Sequence, residues 1–483
     1  MEISNLQPGA LWENFSAICN IPHPSGHIDQ IRQFLVDFGN SLSLETLTDE
    51  VGNVLIRKPA TPGMENAPIV VLQAHMDMVP QKNSNVDHDF EKDPIQAYVD
   101  GEWVKAKDTT LGADNGIGMA AIMAVLQSKE IKHGPIEALI TADEETGMFG
   151  AFGLKEGFVK GKILMNTDSE DWGELFVGCA GGVDVTATIK YKEENEIPEG
   201  DIAFKVSVTG LKGGHSGCDI HLGRANANKL LFRFLKPAVA LHEARLSWVK
   251  GGSLRNAIPR EAFAIVTIPA EAKDEFMEMA EEYHADIRDD YKGVEDGIQF
   301  SVEEVALPKT LVPEEIQDNI INAVVAVPNG AARFLVDMPD VVETSSNMAI
   351  ISIDKGVFSA KFLVRGSNDN LKMDLASSIE STFALAGAKV EFSGEYPGWN
   401  PNMDSKILHV MTEEYKKLYG VDPKVNVIHA GLECGIIGAA CPGMDMISYG
   451  PTVRFPHSPD EKVNIKDVEL FWDYTKAILE NIK

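Results

Sequence analysis

The sequence predicts an α/β protein of two domains, one inserted into the other, and three observations carry this reading. Apolar runs of buried-strand type alternate with helical patterns from the start of the chain to about residue 184. Apolar and polar residues alternate singly from 185 to 391, and the first style returns from 392 to 483. With 483 residues, 44% of them apolar and 24% charged, the chain has material for two or three packed units, and disorder as its main state is excluded.

Taken in order, the first stretch reads as a mostly parallel sheet with crossover helices. Ile69, Val70, Val71, Leu72 and Gln73 form one apolar run, 138–141 a second and 163–165 a third. Between the first two, Ile117, Ala121, Ala124 and Val125 recur at helical spacing and predict a crossover helix over 115–130. A glycine cluster at 178–182 closes the region, and the polar run KYKEENEIPEG at 190–200 reads as linker, so a boundary is expected here, set at 184/185. In the inserted stretch Phe204, Val206 and Val208 alternate with polar neighbours, as do positions in 357–364, and helical patterns lie near 225–234, 271–287 and 371–385. The order β-α-β-β-α-β can be laid over 204–303 with a less clear second copy after it, so an α+β lid domain of ferredoxin-like units is expected. Past Tyr396, Pro397 and Gly398 the buried-strand style resumes at 445–449.

Charge and composition narrow the function. Lys plus Arg number 43 against 73 Asp plus Glu, a net charge of −30, which repels phosphate backbones and anionic lipid; neither a nucleic acid nor a membrane is expected as a partner. The N-terminus lacks the basic start and apolar core of a signal peptide, no stretch reaches the ~20 apolar residues of a membrane span, and a cytoplasmic location is expected. Cys19, Cys179, Cys218, Cys434 and Cys441 are scattered without CxxC spacing, against both a disulfide framework and a thiolate zinc site. Any metal must be held by His, Asp and Glu.

Such residues sit at the ends of the predicted first-domain strands, where open α/β sheets gather ligands. His75 and Asp77 follow the first run and, two apart on an extended chain, project to the same side. Asp114 ends the glycine-rich turn 110–116; Asp143, Glu144 and Glu145 follow the second run; Asp168 follows the third; His457 follows the last strand. Singly, each has a bland explanation: an Asp before a helix is usually an N-cap, and adjacent acids are often a solvated turn. Together, two imidazoles and several carboxylates on one sheet edge repel unless cations neutralise them. An N/O donor set this rich in carboxylates suits two divalent ions, Zn²⁺ first, with Mn²⁺ or Co²⁺ as alternatives, and metal-assisted hydrolysis as the chemistry.

The segments HMDMVP, GADNG, TADEETGM, NTDSED and GPTVRFPHSPDE resemble, in order and over the whole chain, the cocatalytic dizinc aminoacylase/dipeptidase superfamily, and within it most nearly the aminoacyl-histidine dipeptidase branch. The resemblance implies a dizinc exopeptidase-like fold in which His75 and Asp168 hold one ion, Glu145 and His457 the other, and Asp114 bridges them ahead of a cis peptide bond. It implies Glu144 as general base, and Asp77 as acceptor of a hydrogen bond from the His75 ring. Asp rather than Glu at position 168 resembles members that need a free substrate α-amine, favouring a dipeptidase over a deacetylase, with an N-acyl-amino-acid deacylase or tripeptidase of the same superfamily as the alternative. A binding protein without catalysis is the remaining alternative. In the lid, the segment at 213–217 resembles the family's lid-histidine segment, with His215 to polarise the scissile carbonyl; Asn256 and Arg365 are candidates to hold the peptide, Arg365 through its C-terminal carboxylate, and His429 and Glu433 are further pocket candidates. The expected substrate is an unblocked dipeptide, including Xaa-His. The expected assembly is a homodimer, and the expected active site lies between catalytic sheet and lid.

Overall fold

The structure is a computed structural model and describes residues 2–483. The chain forms two compact units: the first takes in the chain to Cys179, Trp399–Val427 and Leu432–Lys483, the second Ala180–Gly398 and Ile428–Gly431. The expected boundaries at 184/185 and 391/392 both fall inside strands of the second unit, Gly181–Lys190 and Lys389–Tyr396, which run through those positions without a break. The polar run at 191–200 links two strands of that same unit and pairs with Leu311 through Glu194; it is polar because it lies at the surface, and it does not join domains.

The first unit is built on an eight-stranded sheet in the order Glu45–Thr48, Val54–Lys58, Ile136–Thr141, Val70–His75, Ile163–Asn166, Asp445–Ser448, Glu174–Cys179 and Lys424–Ile428. Its four central strands are parallel, and antiparallel strands flank them. Val70–His75 and Ile136–Thr141 are buried at every residue, as strands covered on both faces must be, and their Val, Ile and Leu content follows from that. The crossover helix is Ala113–Gln127, apolar all round because it is buried all round. A small side sheet joins Val453–Arg454 and Lys462–Asn464 as an antiparallel pair, leaving His457 in the connection between them. Among the described residues no helix is long and apolar enough to cross a membrane.

The second unit is a nine-stranded antiparallel sheet. One βαββαβ unit comprises Asp201–Thr209, Ala227–His242, Arg245–Gly251, Ala262–Pro269, Lys273–Asp290 and Gln299–Val305, with its strands in the ferredoxin-like order fourth, first, third, second. A second has the same strand order: Gly181–Lys190, Glu314–Ala326, Val342–Asp354, Val357–Gly366, Asp369–Leu385 and Lys389–Tyr396. The second copy therefore does not come after the first, as the sequence pattern suggested, but encloses it, since its opening strand precedes the whole inner unit. Pattern reading finds neighbours along the chain and misses a strand whose partners come much later. Arg245–Gly251 and Val342–Asp354 pair to fuse the two. A single cluster including Phe204, Phe234, Phe276, Phe358, Phe362 and Phe383 forms the core.

Candidate metal centre and polar cluster

Parallel pairing brings the ligand-bearing strand ends of the first unit level. His75 stands opposite Thr141, and Gln73 opposite Asn166, so the residues just beyond those strands, Glu144, Glu145 and Asp168, emerge on the same edge as His75. Asp114 enters from the start of the crossover helix, in non-helical conformation, and its bond to Asn115 is cis. The His75 Nε2 atom lies 3.0 Å from Asp114 Oδ1 and 3.3 Å from Asp168 Oδ1. The His457 Nε2 atom lies 3.3 Å from Asp114 Oδ2 and 3.0 Å from Glu145 Oε1. Each oxygen of Asp114 thus faces a different imidazole.

These residues fit two divalent ions. Donors bound to one tetrahedral ion at ~2.0–2.2 Å stand roughly 3.3–3.6 Å apart, close to the spacings here. Glu145 Oε1 is buried and receives no hydrogen bond, although His457 Nε2 faces it at 3.0 Å, an arrangement that suits two donors sharing a cation better than a proton bridge. Neither Lys nor Arg pairs with Asp114, Glu145 or Asp168 among the described residues. His75, Asp114 and Asp168 make one ligand group, Asp114, Glu145 and His457 another, and His75, Glu144 and Glu145 also come within reach of one ion.

The electrostatics agree. Burial opposes charge on His75, but Asp168 and Asp114 outweigh it and hold the ring well above its usual pKa. Hydrogen bonding to Asp114 and Glu145 lifts His457 to about 11. Burial raises Glu145 and Asp168. It also raises Glu144 well above the carboxylate range, with the charges of Asp168, Glu433 and Glu145 adding to it against the pull of His75.

Asp77 faces the His75 ring and does more besides. The His75 Nδ1 atom is 2.9 Å from the Asp77 main-chain oxygen and 3.5 Å from its carboxylate, which has further partners. It accepts the N–H of Glu144 at 2.9 Å, the N–H of Glu145 at 3.2 Å and the Ser25 hydroxyl at 2.8 Å. Asp143 does not join the ligand groups; its Oδ1 accepts the N–H of Gly26 at 2.6 Å. Glu433 has no accessible surface: its Oε2 accepts from Gln73 and Thr141, each at 2.6 Å, beneath the strand ends. Sequence reasoning passed over Asn115, which donates from Nδ2 to Asp168, and Glu461, which binds the turn before Asp114; both lay inside motifs already noticed. It also set aside His23, which is buried beside the segment after His75, its main-chain oxygen accepting the N–H of Met78 at 3.1 Å.

The remaining candidates meet in the second unit. His215 lies on the short pair Gly214–His215 and Ala257–Ile258, and Ser216 donates its N–H to the Asn256 main-chain oxygen at 2.8 Å. The Asn256 side chain is exposed. His215 Nδ1 accepts the N–H groups of Gly217 and Cys218, which assigns the proton to Nε2. Facing Nε2 at 3.5 Å is Nη2 of Arg365, itself a donor, so this contact is no hydrogen bond. Arg365 is 5% exposed, has no carboxylate partner within ion-pair distance among the described residues and donates to Tyr396 Oη at 3.0 Å. Two donors therefore converge without an acceptor between them. His429 is buried nearby, with Nε2 2.7 Å from Ser345 Oγ. Burial, reinforced by the charge of Arg365, keeps both histidines neutral, His215 down to about 4 and His429 down to about 3.

The pattern of peptidase family M20/M25/M40 matches residues 71–481. The chain belongs to this family. Among M20 relatives, the cytosol non-specific dipeptidase of Escherichia coli strain K12 is 46% identical over 481 residues, covering 100% of this chain and 99% of that protein. The solved aminoacylhistidine dipeptidase of Vibrio alginolyticus is 51% identical with a TM-score of 0.95, covering 100% of this chain and 98% of that one. A tripeptidase from Staphylococcus aureus, 16% identical with a TM-score of 0.57 and covering 99% of each chain, shares the M20 fold.

Proposed function

We propose that this M20 chain is a metal-dependent dipeptidase that cleaves unblocked dipeptides, Xaa-His among them. The observation that carries the proposal is Asp114, whose two oxygens each face one of two separate imidazole groups. His75 and Asp168 would hold one divalent ion, Glu145 and His457 the other, and Asp114 both, with Zn²⁺ the ion of choice for this N/O set. Held there, such a pair of ions would supply Lewis-acid polarisation of a carbonyl and activation of water at neutral pH. Glu144, buried and raised, accepts the proton from the attacking water at its carboxylate and passes it to the leaving amine. Asp77 fixes where Glu144 and Glu145 stand by holding both main-chain N–H groups. Arg365 and the protonated Nε2 of His215 converge without an acceptor, as donors for a substrate carboxylate or a developing oxyanion.

Support for a dipeptide substrate comes from the full-length likeness to proteins named as dipeptidases. A cytoplasmic location and a homodimer belong to the same proposal, the former resting on the cytosolic relative. The test compares hydrolysis of a free dipeptide with that of its N-acetylated form by metal-loaded protein. Preference for the free form is expected; preference for the blocked one would make the chain a deacylase.

A further inference from the structure

Glu461 stands four residues after His457, in the same connection, with 2% of its surface exposed and no ion pair among the described residues. Its carboxylate instead collects four consecutive main-chain N–H groups: Leu111 at 2.7 Å and Gly112 at 3.0 Å on Oε2, Ala113 at 2.8 Å and Asp114 at 3.2 Å on Oε1. Convergent amides of this kind form an anion nest, here at the start of the helix Ala113–Gln127, where the macrodipole adds to it. Gly112 makes the turn with φ +71°, and a Cβ there would stand 3.0 Å from Met78 Sδ.

Each of the two segments that Glu461 joins is anchored on its own side, the turn through Thr110 to Val79 and Gln81 and the connection through its flanking strand pair. Asp114 sits outside helical geometry, at φ −82° and ψ 107°. His457 and Phe455 both adopt left-handed φ, +59° and +57°, and the His457 side chain is 51% exposed. Apart from His457 Nε2, which faces Asp114 Oδ2 at 3.3 Å, the hydrogen bonds within this connection are local, from Ser458 to Phe455 and from Asp460 and Glu461 back to Ser458. The carboxylate of Glu461 is what links it to the main chain of the turn bearing Asp114.

We propose that Glu461 is the positioning residue of the second metal site, locking the Asp114 turn and the His457 connection together so that one carboxylate can serve two ions. This rests on the two-ion reading above. His75 and Asp168 lie outside the two segments that Glu461 joins, since the first ends one buried strand and the second follows another, its N–H donated to Asn166 Oδ1. Only a group that accepts and never donates satisfies four amides: Glu461→Gln would present its own N–H₂ to two of them.

The test is a stepwise Zn²⁺ titration of chelator-stripped protein against a competing chelator, alongside thermal unfolding of the metal-free form. Wild type is expected to take up two equivalents. Glu461→Gln should keep the tighter site and lose about 10–100-fold in affinity at the other. Glu461→Asp, still acceptor-only but shorter, should fall between them, and it stands in should the Gln variant fail to fold. Equal loss at both sites, or two wild-type affinities with only a lowered melting temperature, would show a packing role and overturn the proposal. A wild-type protein binding fewer than two equivalents sinks the two-ion reading itself, whatever the variants do.

Discussion

The Asp77 carboxylate accepts the main-chain N–H of Glu144 at 2.9 Å, so a residue just past the strand that ends at His75 holds the backbone of the proposed general base. The same carboxylate takes the Glu145 N–H and the Ser25 hydroxyl. Replacing Asp77 by Ala strands two amides and frees the turn. Turnover should fall about 10–100-fold, with metal content falling less, as measured by kcat beside elemental analysis. Ser25→Ala removes one of three donors and should cost about 1 kcal/mol or less of transition-state stabilisation.

Glu144 lies outside the two ligand groups built on Asp114, and its carboxyl is raised by burial. Glu144→Gln is expected to retain both ions while turnover drops by a factor on the order of 10²–10⁴. Near-normal kcat in that variant would remove Glu144 from proton transfer.

Asp114 is the residue that the His75–Asp168 and Glu145–His457 groups share. Asp114→Ala should therefore lower metal content below two equivalents as well as activity. Asp168→Ala should spare the ion at His457. Elemental analysis of the two purified variants distinguishes them.

In the second unit, pH acts through His429. Its folded pKa is about 3 against an ordinary 6.5, so between those values the unfolded chain binds a proton that the folded chain does not. Stability is thus fully present above about 6.5 and is lost progressively as pH falls toward 3. Hydrogen exchange in peptides of Val342–Asp354 across that range should show the slope, and His429→Gln should flatten it.

Arg365 lowers both histidines by its charge, second only to burial. In Arg365→Gln the imidazole titrations of His215 and His429 should move up toward the ordinary value, as followed by NMR. Unmoved titrations would mean that burial alone accounts for their neutrality.

Much of the first unit was legible because buried parallel strands write themselves as short apolar runs, and the residues just past each run land on one edge. His75, Asp114, Glu145, Asp168 and His457 could be proposed together for that reason, helped by resemblance. Glu461 could not, since the amides it binds lie some 350 positions earlier and a main-chain N–H leaves no trace in sequence. Arg365 could be proposed as a carboxylate-binding residue, but only the fold shows it buried with no carboxylate partner among the described residues. Glu433 looked like a pocket residue because its neighbours suggested one, whereas the packing of Gln73 and Thr141 draws it inside.

The enclosure of one βαββαβ unit by another has a consequence for biosynthesis. Gly181–Lys190 leaves the ribosome long before Val357–Gly366 and Lys389–Tyr396, the two strands that flank it in the finished sheet. The inner module can reach its native pairing while the outer one still holds an open edge, so the emerging polypeptide must carry an unmated strand until Val357–Gly366 emerges. Translation speed across that interval, and chaperones able to shield such an edge, become determinants of yield for this protein.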